Sequence, residues 1–214
     1  MKRGIRQANM IPTENKMPQL YPELGHLQPQ LMLIVVFSGD GTLSQNAALM
    51  RREAIRLMDK AIFEYTLARQ AIIDQIGEGQ RSYDEQIRGR VIYMCGFTNH
   101  MENCINATRR LIALMQHLRG DRSAPLQDKT KRRLIDAHAD PLIDIRDTLE
   151  HMGEMISNGK IQDGHPVVIA LGDDQSSVQL GKHSLSFQSL ATILRALHAQ
   201  ASIFLECPHA ASAV

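Results

Sequence analysis

Apolar residues recur at steps of three and four through most of residues 44–158, a spacing that puts them on one face of an α-helix. The first run predicts a helix from about Ser44 to the glycines at 77 and 79. The second run predicts a helix from about Asp84 to Leu118. Two helices of this length must pack lengthwise, so the pattern indicates a helical bundle.

A third helical region spans about 127–158 and contains Pro141. Because a proline ring clashes with the carbonyl four residues earlier, we expect either a kinked helix or two helices that meet at Asp140. The second part of this region carries its apolar residues on one side, which we expect to face the core. These residues are Leu142, Ile145, Leu149, Met152 and Ile156.

In the last quarter of the chain the apolar residues are spaced differently. Residues 166–171 predict a strand, and the alternating residues after the next turn predict another, which gives a small β-hairpin near 166–185. A final helix follows, capped by Ser184 or Ser186. The predicted fold is therefore mainly α, an antiparallel helical bundle of four or five helices with a small β-hairpin before the last helix.

Both ends of the chain are predicted to be irregular. Half of the eight prolines fall within residues 1–30, and the apolar run Leu31–Phe37 is short, partly β-branched and stopped by glycines, which indicates a strand or a buried extended segment. We therefore expect an irregular N-terminal arm over 1–43, poorly ordered or holding this short strand. One helical domain is expected over 44–206, followed by a tail over 207–214.

Composition narrows the function classes only a little. The chain has 214 residues, 43% of them apolar and 22% charged, which suits one domain with a real core. A net charge of +1 removes bulk attraction as an argument for binding nucleic acid or anionic membranes, although a local patch could bind either. No signal-peptide pattern is evident and the longest apolar run has seven residues, so we expect a cytoplasmic protein with no membrane partner.

One segment of the third helical region carries the most informative polar pattern. Arg146 is followed directly by the polar residue Asp147, and His151 comes five positions after the arginine. This arrangement resembles the signature of HEPN domains, an all-helical family common among RNA-cleaving toxins and defence proteins. The resemblance covers about residues 44–158, in helix order and in the position of the motif.

The resemblance implies metal-independent RNA cleavage by a homodimer in which two protomers bring their motifs together in one cleft. Arg146 would hold the scissile phosphate and His151 would act as general base or acid. Asp147 and Glu150 would orient these two side chains. The chemistry suits the residues, because histidine titrates in the range needed to take a 2′-hydroxyl proton and arginine offers a planar fork of donors. No cofactor is implied, and a toxin would have an antitoxin protein as its partner.

Helix geometry separates the two main residues of the motif. At 100° per residue, Arg146 and His151 lie about 140° apart and flank a polar face, so a second protomer or a bend would have to complete a cleft. In the alternative interpretation, Arg146 pairs with Glu150 at the i, i+4 spacing and His151 is a surface residue. The loose spacing also occurs elsewhere, in Arg132 or Arg133 with His138 and in Arg110 with His117.

Three asparagines and an arginine form a polar stripe along the second predicted helix, at steps of four, three and four. Asparagine is unfavourable inside a helix because its amide competes for backbone hydrogen bonds. Three asparagines on one face therefore indicate a specific role for that face. The stripe either lines an RNA-binding cleft opposite the arginine–histidine motif, or forms a solvated face or hydrogen bonds between helices. Its members are Asn99, Asn103, Asn106 and Arg110.

Other kinds of chemistry find less support in the spacing. Three scattered cysteines and nine scattered histidines give no converging set of ligands, so we expect no metal site. Residues 39–42 (Gly-Asp-Gly-Thr) look like a phosphate loop of lipid and NAD kinases, but two long helices follow instead of alternating strands and helices. A second function hypothesis stands beside the ribonuclease. It is a helical interaction protein without chemistry that acts through a dimer or partner surface.

Overall fold

Two long helices form the centre of the protein. In the computed structural model, which describes residues 12–205, α2 (Gln45–Gly79) and α4 (Met94–Gly120) run antiparallel along each other. Both helices turn their apolar stripes into the core, where Met58 of α2 and Met101 of α4 are fully buried. The lengthwise packing predicted for the first two helices is therefore confirmed.

Residues 28–38 form a helix where the sequence predicted a strand. This helix, α1 (Gln28–Ser38), has Pro29 in its first turn, a position where the missing N–H of proline costs nothing. The buried carboxylate of Asp59 on α2 accepts hydrogen bonds from the backbone N–H groups of Leu27 and Gln28, each at 2.9 Å. The prediction of a strand or buried extended segment at Leu31–Phe37 was wrong, because the residues are helical and Asp59 of α2 caps the start of their helix. The segment pairs with no strand of the described sheet.

The second predicted helix is divided in the structure. α3 (Tyr83–Ile87) is little more than one turn, and the chain then leaves helical geometry before α4 begins. Gly89 lies in this break at a φ of 127°, a conformation that residues with a side chain rarely adopt. The prediction of one continuous helix was wrong across residues 88–93.

The third helical region consists of two helices that meet at Asp140, which confirms this alternative over a single kinked helix. α5 (Lys129–His138) is capped by Asp128, whose carboxylate accepts a hydrogen bond from the backbone N–H of Thr130 at 2.7 Å. α6 (Asp140–Ser157) starts directly afterwards and holds Pro141 in its first turn. The proline therefore begins a helix instead of kinking one.

A small antiparallel sheet follows α6. Its strands are β1 (Ala170–Leu171), β2 (Ser177–Leu180) and β3 (His183–Ser186), paired in that order. Val178 lies opposite Leu185, and both are buried. Both strands contact α6, and β3 also contacts α7. The predicted hairpin corresponds to β1 and β2, although its first strand is shorter than the predicted 166–171. β3 is a third short strand, formed where the sequence predicted only a turn and the cap of the last helix.

The last helix, α7 (Phe187–Ile203), closes the core. The hydroxyl of Ser186 accepts a hydrogen bond from the backbone N–H of Ser189 at 3.0 Å, which confirms one of the two predicted caps. Phe187 meets Phe97 of α4 edge to face, with the ring centroids 6.5 Å apart. The predicted fold class is confirmed: a mainly helical bundle with a small β element before its last helix.

Residues 12–27 form turns and irregular chain that pack on the bundle. Apolar side chains of this segment, including Met17 and Leu20, lie in the same core as the helices. The hydroxyl of Tyr65 on α2 donates a hydrogen bond to the carbonyl of Pro18 at 2.9 Å. This part of the predicted arm is therefore built into the domain, while the rest of the arm (1–11) and the predicted tail (207–214) lie outside the described residues.

Candidate functional site on α6 and neighbouring surfaces

α6 carries the arginine–histidine motif on its outer side. Leu142 and Ile145 are fully buried on the inner side, and Thr148 is 6% exposed. Arg146 and His151 lie on the two flanks of the outer side, about 140° apart, as the helical period predicts. Their separation along the helix is set by the backbone, so no change of rotamer brings their Cα atoms closer.

Neighbours on the same helix hold Arg146. Its Nη1 atom donates a hydrogen bond to the carboxylate of Glu150 and lies 3.4 Å from Oδ1 of Asp147. The i, i+4 pairing, which the sequence left open as an alternative, is therefore the arrangement in the structure. The guanidinium group already has carboxylate partners where a phosphate would have to bind.

His151 is a surface residue with 62% of its side chain exposed. Its Nδ1 atom lies 3.4 Å from Oε2 of Glu154, and among the described residues no hydrogen bond or ion pair joins it to Arg146. A general base must lie within hydrogen-bond reach of the proton it removes while the phosphate is held beside it. One copy of α6 does not bring these two functions together.

The charge of α6 is also unfavourable for binding a polyanion. The helix contains five acidic residues and one arginine. Asp144, Asp147 and Glu154 are each more than half exposed, and the ionised carboxylates give this face a negative potential that opposes an approaching phosphate. The two predicted orienting residues, Asp147 and Glu150, therefore neutralise Arg146.

The asparagine stripe lies on the side of α4 away from the core. Asn99 and Asn103 are exposed and Asn106 is partly exposed. Arg110 donates a hydrogen bond to Glu53 of α2 at 3.1 Å. In the described part of the chain no hydrogen bond or ion pair joins these four residues to Arg146 or His151.

A small cavity lies between α4, α5 and α7. Its volume is about 40 Å³, and its walls include Ile112, Arg119, Arg132 and Leu197. Sites for small-molecule ligands usually have volumes of roughly 300 Å³ or more, so this cavity is too small for a nucleotide or sugar. Within residues 12–205, no group of three or more His, Cys, Asp or Glu side chains is placed to hold a metal ion.

Sequence reasoning missed the exposed side of α1. The helix has no charged residue, and its inner side chain Leu31 packs into the core while four large apolar side chains on the outer side are 59–80% exposed. A helix that is apolar all round is normally buried on every side. The signal in the sequence was the seven-residue apolar run itself. We call the four residues the α1 face: Met32, Leu33, Val36 and Phe37.

A concentration of positive charge was also missed. Residues 116–134 contain six of the chain's 24 lysines and arginines but only two of its 23 acidic residues. The described structure places none of these six cations in an ion pair. We call them the basic corner: Arg119, Arg122, Lys129, Lys131, Arg132 and Arg133.

The two carboxylates within the basic corner have other partners. Asp121 accepts hydrogen bonds from the hydroxyls of Ser123 at 2.6 Å and Ser44 at 2.8 Å. These hydroxyls hold the pKa of the Asp121 carboxyl below its ordinary value. Asp128 is occupied as the cap of α5. The positive charge of the corner is therefore not neutralised by direct pairing.

Comparison of the chain with protein-family models, curated proteins and solved structures finds no match. No helix within residues 12–205 combines the length and apolar character needed to cross a membrane. Two surfaces of the described molecule differ from an ordinary solvated surface: the α1 face is apolar and the basic corner carries a concentration of positive charge.

Proposed function

We propose that this protein acts by binding another protein surface through the α1 face and catalyses no reaction itself. The observation that carries the proposal is a charge-free helix with four large apolar side chains in solvent. Fully burying such a side chain is worth about 1.5–3 kcal/mol, so a partner that covered the α1 face would gain several kcal/mol. Apolar patches of this kind are typical of interaction sites.

The two ends of α1 are fixed, which supports a binding role. At its start the carboxylate of Asp59 holds the backbone N–H of Leu27. Just beyond its end, the carboxylate of Asp40 pairs with Arg51 and Arg52 of α2, each at 2.6 Å. A surface held in place before binding loses less conformational entropy when it is covered. The α1 face is therefore a preformed surface.

The α6 motif supports catalysis less well. Arg146 is already partnered by Glu150, and His151 lies on the opposite flank of the helix. Cleavage of RNA needs a base and a phosphate-binding group at one place. A ribonuclease would need both side chains to leave their present positions or a second protomer to complete the site.

A photocrosslinking experiment tests the proposal. The photoreactive amino acid benzoylphenylalanine would replace Phe37, which is 80% exposed, in the cells that naturally make the protein. Ile156 on α6, which is 54% exposed, gives the matched control position. We expect adducts with a defined protein at position 37 and none at position 156. Absence of adducts at position 37, or the same adducts at both positions, would contradict the proposal.

A second candidate function is RNA binding, and the basic corner favours it. Unpaired lysines and arginines on neighbouring helix ends attract a phosphodiester backbone, and binding through them is strongly salt-dependent. No Phe, Tyr or Trp occurs within residues 116–134, so contact would be made mainly with the backbone and not by stacking on bases. In this candidate the asparagine stripe and the α6 motif are not the binding surface.

An RNA assay without added metal separates these candidates. Total RNA and a tRNA pool would be incubated with the protein in EDTA, and both binding and cleavage would be measured. RNA binding predicts intact RNA and a complex lost in Lys129→Glu/Arg133→Glu but kept in Lys160→Glu/Lys182→Glu, which changes the net charge equally. Cleavage that both Arg146→Ala and His151→Ala abolish would instead establish a ribonuclease and remove the primary proposal.

A further inference from the structure

We infer that the α1 face binds the α1 face of a second copy of this chain, with the two helices antiparallel about a two-fold axis. This inference rests on the proposed function, because it names the partner of the same surface. It makes the protein a homodimer whose interface is formed by a segment that the sequence pattern assigned to a buried strand.

The absence of charge makes the α1 face complementary to itself. In a two-fold contact the same patch occurs on both sides, so each residue approaches an equivalent environment in the other copy. A patch bearing charges of one sign would repel its copy, whereas α1 has no charged residue. Apolar packing requires no pairing of charges, so two identical α1 faces can cover each other without burying a charged side chain.

The exposed apolar area extends beyond α1. Leu49 and Phe63 of α2 are each 54% exposed. Leu49 lies one turn before Arg52 and Phe63 one turn after Asp59, so the two flank the stretch of α2 that holds the ends of α1. An aromatic side chain presents about 150–250 Å². Six side chains more than half exposed thus offer several hundred Å², approaching the roughly 800 Å² that a standard interface buries on each partner.

The dimensions of α1 fix what the contact would look like. Eleven residues span about 16 Å, or three turns, so two α1 helices can pack side by side at the usual 8–10 Å between axes. Leu33 is at the middle of the helix and would lie near the two-fold axis, facing Leu33 of the second copy. Phe37 is near one end and would lie over the first turn of the other α1, near its Pro29.

The inferred interface does not include the α6 motif. α1 packs on α2, whereas α6 packs on α4, α5 and the sheet, and no described contact of any extent joins α1 to α6. A two-fold contact through α1 is therefore formed without Arg146 and His151, which belong to another helix. This arrangement differs from one in which two protomers share a cleft at the motif.

Sedimentation velocity of the purified full-length protein over a range of concentrations tests the inference. We expect a species of twice the 24.0 kDa chain mass. Val36→Glu/Phe37→Glu should remain monomeric, and the far-UV circular dichroism should be unchanged because both side chains are on the surface. Ile156→Glu/Val168→Glu replaces two other exposed apolar residues, so it is the matched control and should remain dimeric.

A cysteine experiment tests the antiparallel geometry. In a background with Cys95→Ser and Cys207→Ser, Leu33→Cys should give a disulfide-linked dimer under mild oxidation, because its thiol faces its own copy. Phe37→Cys alone should give none, since the two Phe37 positions lie at opposite ends of the contact. Crosslinking at both positions would indicate parallel helices and overturn the antiparallel arrangement.

Failure of this inference is distinguishable from failure of the proposed function. A wild-type chain that is monomeric at every concentration, or a dimer unaffected by Val36→Glu/Phe37→Glu, overturns the inference. If position 37 then still gives photocrosslinks to a different protein in cells, the α1 face remains a binding surface with another partner. If position 37 gives no adduct, both the inference and the proposed function are rejected.

Discussion

The carboxylate of Asp59 accepts a hydrogen bond from the backbone N–H of Leu27 at 2.9 Å, and this contact joins two helices. Asp59 is only 5% exposed, and no side chain near the start of α1 caps that helix. The first N–H groups of a helix have no partner within the helix, so a carboxylate from α2 meets this need. The position of the α1 face therefore depends on a residue in another helix.

Replacing Asp59 should loosen α1. Asp59→Ala leaves the N–H groups of Leu27 and Gln28 without their acceptor, and we expect the free energy of unfolding to fall by about 1–3 kcal/mol. Amide exchange within residues 28–38 should accelerate, measured by mass spectrometry after deuterium exchange. Asp74→Ala, which removes a partly exposed carboxylate of the same helix, should change stability by less than about 0.5 kcal/mol. Equal effects of the two changes would show that the cap has no special role.

Two glycines should respond in opposite directions to alanine. A Cβ on Gly172 would collide with the hydroxyl oxygen of Ser177 and lie 3.3 Å from its carbonyl oxygen, at a turn where the Gly172 N–H donates to that carbonyl. Gly172→Ala should therefore destabilise the protein by about 1–3 kcal/mol. Gly153 is within α6 and has open space around it, so Gly153→Ala should stabilise the protein by about 0.5–1 kcal/mol.

Thermal unfolding of both glycine variants checks this prediction. The Tm should fall for Gly172→Ala and rise for Gly153→Ala, with unchanged far-UV circular dichroism at 25 °C. A rise for Gly172→Ala would mean that the turn before β2 relaxes easily. A fall for Gly153→Ala would mean that its exposed position in α6 contacts something in solution, such as a second copy.

The long helices could be predicted because their stability comes from a regular apolar stripe. Along α2 the residues that recur at steps of three and four, such as Met58 and Tyr65, are the ones buried in the structure. α1 could not be predicted in this way, because seven consecutive apolar residues have no period that separates a helix from a strand. The helical start of α1 is capped by Asp59, which lies about thirty positions later in the chain, so the residues around α1 give no sign of this cap.

Some surface features could likewise be predicted from the sequence, whereas others could not. The pairing of Arg146 with Glu150 follows from their i, i+4 spacing and was foreseeable as an alternative. That no element within residues 12–205 covers the α1 face depends on where each of them packs, which the sequence does not specify. The positive residues near Lys129 are visible in the sequence, but their freedom from ion pairs depends on Asp121 and Asp128 being occupied elsewhere.

The two described cysteines should differ strongly in reactivity. Cys104 is fully buried on α4, and burial raises the pKa of its thiol to about 12. Cys95 is exposed. Iodoacetamide at pH 8 should therefore modify Cys95 in the native protein and leave Cys104 intact until denaturant is added. Mass spectrometry of the alkylated peptides measures both sites, and rapid native labelling of Cys104 would show that α4 opens readily.

The same burial predicts that the protein becomes less stable in alkali. The ordinary thiol pKa of 9.0 is raised to about 12 at Cys104, and burial likewise raises the pKa of the Tyr65 hydroxyl above its ordinary 10.0. Between the ordinary and raised values the unfolded chain has lost protons that the folded chain keeps, so rising pH favours unfolding. The stabilising contribution is complete below pH 9 and is lost progressively between about pH 9 and 12. Urea midpoints measured at pH 8 and pH 10.5 should show this fall, and Cys104→Ala should make it smaller whatever that variant's stability at pH 8. The same fall in wild type and Cys104→Ala would assign the alkaline loss of stability to other groups.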